Sequence, residues 1–344
     1  MIDRRVVGII GTTQLVMWGV SYYLIGIFGP AIERELQWPQ PWIYGGFSVA
    51  LLAMGAVSPF AGRAVDRHGG SRTMATGCVL VAVACCAIAA TSSVAVYYAA
   101  WLLMGVSMRL TLYDAAFAAL ARRAGAQSRR AMSQVTLFGA LASTVFWPIG
   151  NALQAGFGWR SAVLVYAAIA LSMAWLLLLL PPEGRSVEPS GDASRSAPAP
   201  APAGNTRVAA WLFALITALI AFLNTGMSSH MIAMLTGLGF GMGSAVWVSA
   251  FRGFGQVAGR LGELLFAGRL HPTRVNLVAC VLIPGAFAML ALGGAQIVTA
   301  LLFALTYGLG NGIATITRGS LPLVLFGAAG YGALVGRLLV PSFL

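Results

Sequence analysis

The chain has 344 residues, of which 59% are hydrophobic and only 9% charged, with a formal net charge of +12. A soluble domain carries roughly 25% charged residues, so that class is excluded, and apolar runs of about 20 residues recur along the chain, as a polytopic helical membrane protein requires. The basic excess does not mark a nucleic-acid binder: all 21 basic residues are Arg and they collect at the ends of the apolar runs, which is a topology signal.

Arg4 and Arg5 precede a first apolar run over residues 6–30, too long for a leader core and without a small-residue cleavage site, so it reads as a retained first span. Further spans are predicted over 43–61, 74–92, 94–119, 132–154 and 160–180. Residues 181–207, rich in Pro, Ala and Ser, cannot bury enough apolar surface to fold and form a disordered linker. Spans seven to ten follow over 208–231, 243–266, 275–292 and 295–316, and a last run begins near 330 and stops at Leu344. The expected organisation is an N-terminal six-helix bundle (1–180), a cytoplasmic linker (181–207) and a C-terminal bundle (208–344) of four complete spans and a partial eleventh. Cys78, Cys85, Cys86 and Cys280 all lie inside apolar runs with no metal or redox spacing and are expected to pack as small side chains.

Alternating the loops between two sides places 15 arginines on the side of the N-terminus, only Arg34 and Arg160 on the other, and four (Arg109, Arg252, Arg260 and Arg337) within spans. By the positive-inside rule the rich side, and with it the N-terminus, is cytoplasmic. Between spans two and three stands GRAVDRHGGSRT, residues 62–73, which reads as a tight membrane-edge loop. In it Gly62 is expected to allow close helix approach, Asp66 to accept hydrogen bonds from a nearby helix start, and Gly69 and Gly70 to take backbone angles other residues avoid.

Six spans, a central linker, more spans, and a G-x-x-x-D-R-x-G loop formed by Gly62, Asp66, Arg67 and Gly69 resemble the major facilitator superfamily of secondary transporters, across the whole chain. GRLGELLFAGRLHPTR (259–274) stands where a second, degenerate copy of the loop belongs, although it has no aspartate. Gly259-Arg260 and the stretches YDAAFAALARR and TVFWPIGNALQAGFGWR are similar to the monocarboxylate and oxalate/formate branch. The resemblance implies a two-bundle fold with spans 1, 4, 7 and 10 around a central cavity, and a span-eight arginine that holds a substrate carboxylate. It also implies twelve spans, so the chain looks C-terminally short.

An ionisable group at mid-membrane costs at least about 2.5–3.5 kcal/mol, so each one needs a reason. Arg260 and Arg252, eight residues apart in span eight and read as sharing a face, are both candidates for a carboxylate clamp; Glu263 could instead neutralise Arg260 at i, i+3. In span four Arg109 and Tyr113 share a face, whereas Asp114 sits about 140° from Arg109 on a continuous helix, so a local pair is not expected. Glu263 and Asp114 are the candidate proton carriers, since shielding raises a carboxyl pKa. Gln14, Trp18 and Tyr22 form one stripe of span one, and Asn224, Tyr307 and Asn311 are further cavity candidates. His230 reads as a surface or capping residue, and Gly308, Gly310 and Gly312 as a closely packed or flexible face.

The function expected is secondary active transport of a small organic anion, proton-coupled or by exchange, through alternating access in a bacterial-type cytoplasmic membrane. The alternatives are drug or metabolite efflux and an inactive truncated transporter. No metal cluster, nucleophile triad or phosphate-cradling loop stands in the sequence, so neither an enzyme nor a cofactor or metal is expected. The partners are the lipid bilayer and an anionic small molecule, with no nucleic acid, and a monomer is expected.

Overall fold

The computed structural model describes residues 3–124, 128–181, 206–266 and 271–326, together with 338 and 342, and these are helical apart from short turns. The first span is α1 (Arg4–Met17), one π-helical turn (Trp18–Tyr22) and α2 (Leu24–Leu36). Then come α3 (Gln40–His68), α4 (Gly70–Ala89), a fourth span split into α5 (Val94–Thr111) and α6 (Tyr113–Ala124), α7 (Ser128–Ala140) and α8 (Ala142–Leu178). The second half holds α9 (Thr206–Gly237), α10 (Met242–Phe266), α11 (Pro272–Gly293) and α12 (Ile297–Phe326). The predicted linker falls almost entirely on residues outside those described, as does most of the run after 330.

Among the described residues, eight helical stretches are long and apolar enough to cross a membrane. One of them, Ala131–Leu178, is really two spans. It breaks at Gly158, whose φ of 77° and ψ of 161° interrupt the helix. The Tyr166 hydroxyl donates to the Phe146 carbonyl at 3.0 Å, 20 residues back, a contact that a straight helix with a rise of about 1.5 Å per residue would forbid. The count is completed by α10, 25 residues long, which carries the buried Arg252 and Arg260. The described residues therefore hold ten spans in two bundles, as the hydropathy indicated, although most helices run several residues beyond the predicted edges because polar ends continue the helix past the apolar run.

The motif region departs from its expected form. Residues 62–73 are not a loop: α3 runs through His68 and α4 starts at Gly70, leaving Gly69 alone as the connection. Gly69 adopts φ 86°, ψ 152°, a region essentially closed to residues with a Cβ. It accepts from the Thr73 backbone N–H and, at 2.8 Å, from the Thr73 hydroxyl. Gly70 is helical, so only one of the two glycines supplies an unusual angle. Gly62 does not mediate close packing either, because a methyl group there would meet nothing within 4 Å. Arg67 is exposed, and the Asp66 side chain lies outside the described set.

Small residues do set the packing of α10 on α12. A Cβ on Gly255 would collide with the Leu305 carbonyl oxygen, and one on Gly259 with that of Leu309. From the other side, a Cβ on Gly308 would collide with the Arg252 carbonyl oxygen, and one on Gly312 with that of Gln256. Both helices thus present a Gly-x-x-x-Gly face and meet backbone to backbone, as small-residue interfaces in bilayers do. The close contact fixes the height and rotation of α10 and hence the position of its arginines.

Candidate functional site

The span-one stripe does not continue as a regular helix. At Trp18 the chain makes a π turn, in which the Tyr23 backbone N–H reaches back five residues to the Trp18 carbonyl at 3.1 Å. Such single turns are frequent at functional positions. The wider turn brings both i+4 and i+5 beside residue i. Trp18 packs on Tyr22 with ring centroids 4.8 Å apart and on Tyr23 at 6.4 Å. Tyr22 then reaches the second bundle, its hydroxyl 2.9 Å from the Thr225 hydroxyl on α9. Tyr23 also packs on Trp147 of α8 at 5.6 Å.

Against this wall stands Arg252, with 0% of its surface exposed. Its Nη1 donates to the Ser228 hydroxyl at 3.1 Å and its Nη2 to Asn224 Oδ1 at 2.5 Å, both groups on α9. The Asn311 amide of α12 donates to the same Asn224 oxygen at 2.6 Å. The guanidinium carbon lies 5.2 Å from the Tyr307 ring centre and 5.8 Å from that of Tyr23, within cation–π range. The Tyr307 hydroxyl is committed to the Leu223 carbonyl at 3.1 Å. Arg252 therefore joins α9, α10 and α12 to the π turn of the first bundle. Among the described residues no carboxylate lies within ion-pair distance of it, and its Nε has no acceptor.

Arg260 goes elsewhere, although it was expected to share a face with Arg252. It is 5% exposed, and its Nη1 donates to the Thr136 backbone carbonyl of α7 and, at 3.2 Å, to the Tyr113 hydroxyl of α6. Tyr113 in turn donates to that same Thr136 carbonyl at 3.2 Å, and its ring lies 5.1 Å from Trp18. Arg260 thus pins the second bundle to the first by hydrogen bonds. The side chain of Glu263, its expected neighbour, lies outside the described residues.

Arg109 and Asp114 correct the sequence reading outright. They form an ion pair, and Arg109 also donates to Ser58. The expected 140° separation assumed a continuous helix, but Leu112 is extended (φ −75°, ψ −171°) and divides α5 from α6. The break swings the Asp114 carboxylate back to Arg109. It also frees the carbonyls at the end of α5, one of which, on Thr111, accepts from Gln14 Nε2 at 2.7 Å. Gln14 thereby supports the broken span, leaving its Oε1 buried without a partner. His230 is half-buried, with its ring 4.2 Å from that of Tyr44.

The structure brings Trp18, Tyr22, Asn224, Arg252, Tyr307 and Asn311 into one region. It places Arg260 and Tyr113 in a second and Arg109 and Asp114 in a third. Tyr23, Trp147, Thr225, Ser228 and Thr136 escaped the sequence reading. Only Ser228, four residues after Asn224 on the same helix, carried a usable periodic signal.

Among the described residues, ten spans in two bundles, joined by a buried polar and aromatic cluster between the halves, define a polytopic helical membrane protein. The sequence matches the Major Facilitator Superfamily over residues 10–338, and the chain belongs to that family. Among curated proteins it is similar to the multidrug resistance protein MdtL of Escherichia coli. The match is 29% identical in strain S88 and 28% in strain E24377A, over 177 residues that are 50% of this chain and 44% of the relative. The match thus spans less than half the length of these relatives. The fold is similar to that of a point mutant of the nucleoside transporter NupG, with a TM-score of 0.76, 14% identity, and coverage of 98% of this chain and 87% of the other. It is also similar to a D-xylose-proton symporter, with a TM-score of 0.72, 13% identity and the same coverage.

Proposed function

We propose that this chain is a secondary transporter for a small organic anion, a carboxylate, working by alternating access and coupled to protons or to a counter-anion. The observation that carries this reading is Arg252. Its charge is fully removed from solvent, no described carboxylate pairs with it, and Nε keeps an unused N–H. A guanidinium presents its donors in a planar fork that matches a carboxylate. An incoming anion would neutralise a charge that is otherwise costly inside a membrane. Asn224 and Ser228 position the fork through two of its N–H groups and leave others for the substrate.

Arg260 is assigned to holding the bundles together near one end of α10, in place of the clamp role that the branch resemblance gave it. Asp114 is held by Arg109, and Glu263 remains the proton-carrier candidate. We also place the arginine-rich loops and the N-terminus in the cytoplasm, in a bacterial-type inner membrane, with bundles over 1–180 and 208–344 joined by a linker over 181–207.

A second reading, drug efflux, is favoured by the similarity to MdtL. It requires a carboxylate in the central site for a cationic compound, and Asp114 is 57% exposed and paired to Arg109 instead. Proteoliposomes containing the full chain separate the two. Saturable uptake of labelled acetate, benzoate or succinate, driven by a pH gradient or an internal counter-anion and lost in Arg252→Met, is the expected result. Movement of ethidium with no carboxylate flux would overturn the anion reading in favour of efflux.

A further inference from the structure

The side chains around Arg252 carry more than a charge, and this inference rests on the carboxylate reading of that residue. Tyr23 is the hub of the region: its ring contacts Trp18 at 6.4 Å, Tyr22 at 5.7 Å, Trp147 at 5.6 Å and the Arg252 guanidinium at 5.8 Å. Trp18 and Trp147 both have indole N–H groups that are buried with no hydrogen-bond partner. A buried indole N–H ordinarily finds an acceptor. Two of them beside one hub, with the unused Nε–H of Arg252 beside the same ring, amount to a set of donors without acceptors. A ligand bringing oxygen atoms and a flat apolar body would satisfy it.

We propose that the central site selects carboxylates borne on an aromatic ring, with Arg252 taking the carboxylate, Tyr23 and Trp18 stacking against the ring, and the indole N–H groups of Trp18 and Trp147 donating to oxygen atoms on the ring's substituents. The π turn is what makes this selective. Without it, Tyr22 and Tyr23 would not both lie beside Trp18, and the guanidinium would have one tyrosine ring fewer against it. The chemistry distinguishes an aromatic acid from an aliphatic one of equal charge, because ring–ring contact adds to affinity beyond buried area.

The test is ligand-induced thermal stabilisation of the full chain in mild detergent, with affinities taken from titration of four monoanions: benzoate, 4-hydroxybenzoate, cyclohexanecarboxylate and hexanoate. Benzoate and cyclohexanecarboxylate share charge and ring size and differ only in aromaticity. Benzoate is expected to bind about three- to tenfold more tightly than cyclohexanecarboxylate, the range that aromatic pairing supplies, and 4-hydroxybenzoate more tightly again. Tyr23→Leu should erase the preference for the aromatic ring, so that benzoate and cyclohexanecarboxylate bind alike. Trp18→Phe, which keeps a ring and removes the N–H, should erase only the gain from the hydroxyl. Equal affinities for benzoate and cyclohexanecarboxylate in the unmodified protein would overturn the aromatic selection and leave Arg252 as a carboxylate clamp. Binding of none of the four acids would overturn both.

Discussion

Arg252 and Arg260 lie on one helix, about 12 Å apart by its rise, and face the same problem of a charge inside a membrane. They solve it differently. Arg260 donates to a backbone carbonyl and a tyrosine hydroxyl of the first bundle, so its charge is held by fixed dipoles and it works as a fastening. Arg252 donates to one amide oxygen and one hydroxyl of α9 and lies beside two tyrosine rings. The lesson is that burial alone does not identify a ligand-binding arginine. Both keep an Nε without an acceptor. What distinguishes the two is where their other donors go, Arg260 onto a backbone carbonyl and a tyrosine of the first bundle and Arg252 onto side chains of α9 beside two tyrosine rings.

The largest expected effect follows from that contrast. Arg252→Met should weaken carboxylate binding by at least about 100-fold, since loss of a buried charged partner is among the costliest changes at an interface. The same variant should unfold at a higher temperature without ligand, because an unpaired buried charge has been replaced by an apolar side chain of similar length; the gain is of order 1–4 kcal/mol. Scanning calorimetry with and without benzoate reads both. A stability loss in the ligand-free variant would mean that Arg252 is chiefly structural.

Arg260→Ala should behave in the opposite way. Ligand-free stability falls by roughly 1.5–3 kcal/mol, the worth of hydrogen bonds to a charged group, while carboxylate affinity changes little. A somewhat smaller loss, about 1–3 kcal/mol from overpacking, is expected for Gly312→Val, whose side chain would collide with the Gln256 backbone. This variant also shifts α10 and so should weaken binding at Arg252 without touching the ligand. The smallest effect belongs to Asp114→Asn. The carboxylate is 57% exposed, so the pair with Arg109 is worth no more than about 1 kcal/mol after screening, and transport should persist.

The sequence carried the spans well, because apolar length is a direct consequence of bilayer thickness. It also carried the Gly69 turn, whose backbone angle only glycine accepts freely. It could not carry the breaks. Nothing in LTLYDAA announces that Leu112 turns extended, and with that single residue the predicted separation of Arg109 from Asp114 was lost. Likewise the π turn at Trp18–Tyr22 moves Tyr23 into a stripe that regular helix geometry would exclude. The fates of the two arginines were illegible for a related reason. Arg260 ends on the backbone carbonyl of Thr136, and a backbone acceptor has no signature in the residue that carries it. Asn224 and Asn311 were legible as polar groups inside apolar spans, although not as a pair sharing one oxygen atom.

The measurement that bears most directly on the role of Arg252 is a benzoate titration of the thermal unfolding of three proteins: unmodified, Arg252→Met and Arg260→Ala. Benzoate should stabilise the unmodified chain and Arg260→Ala with similar affinity and leave Arg252→Met unchanged. Stabilisation that survives in Arg252→Met and disappears in Arg260→Ala would contradict the assignment and return the clamp to Arg260.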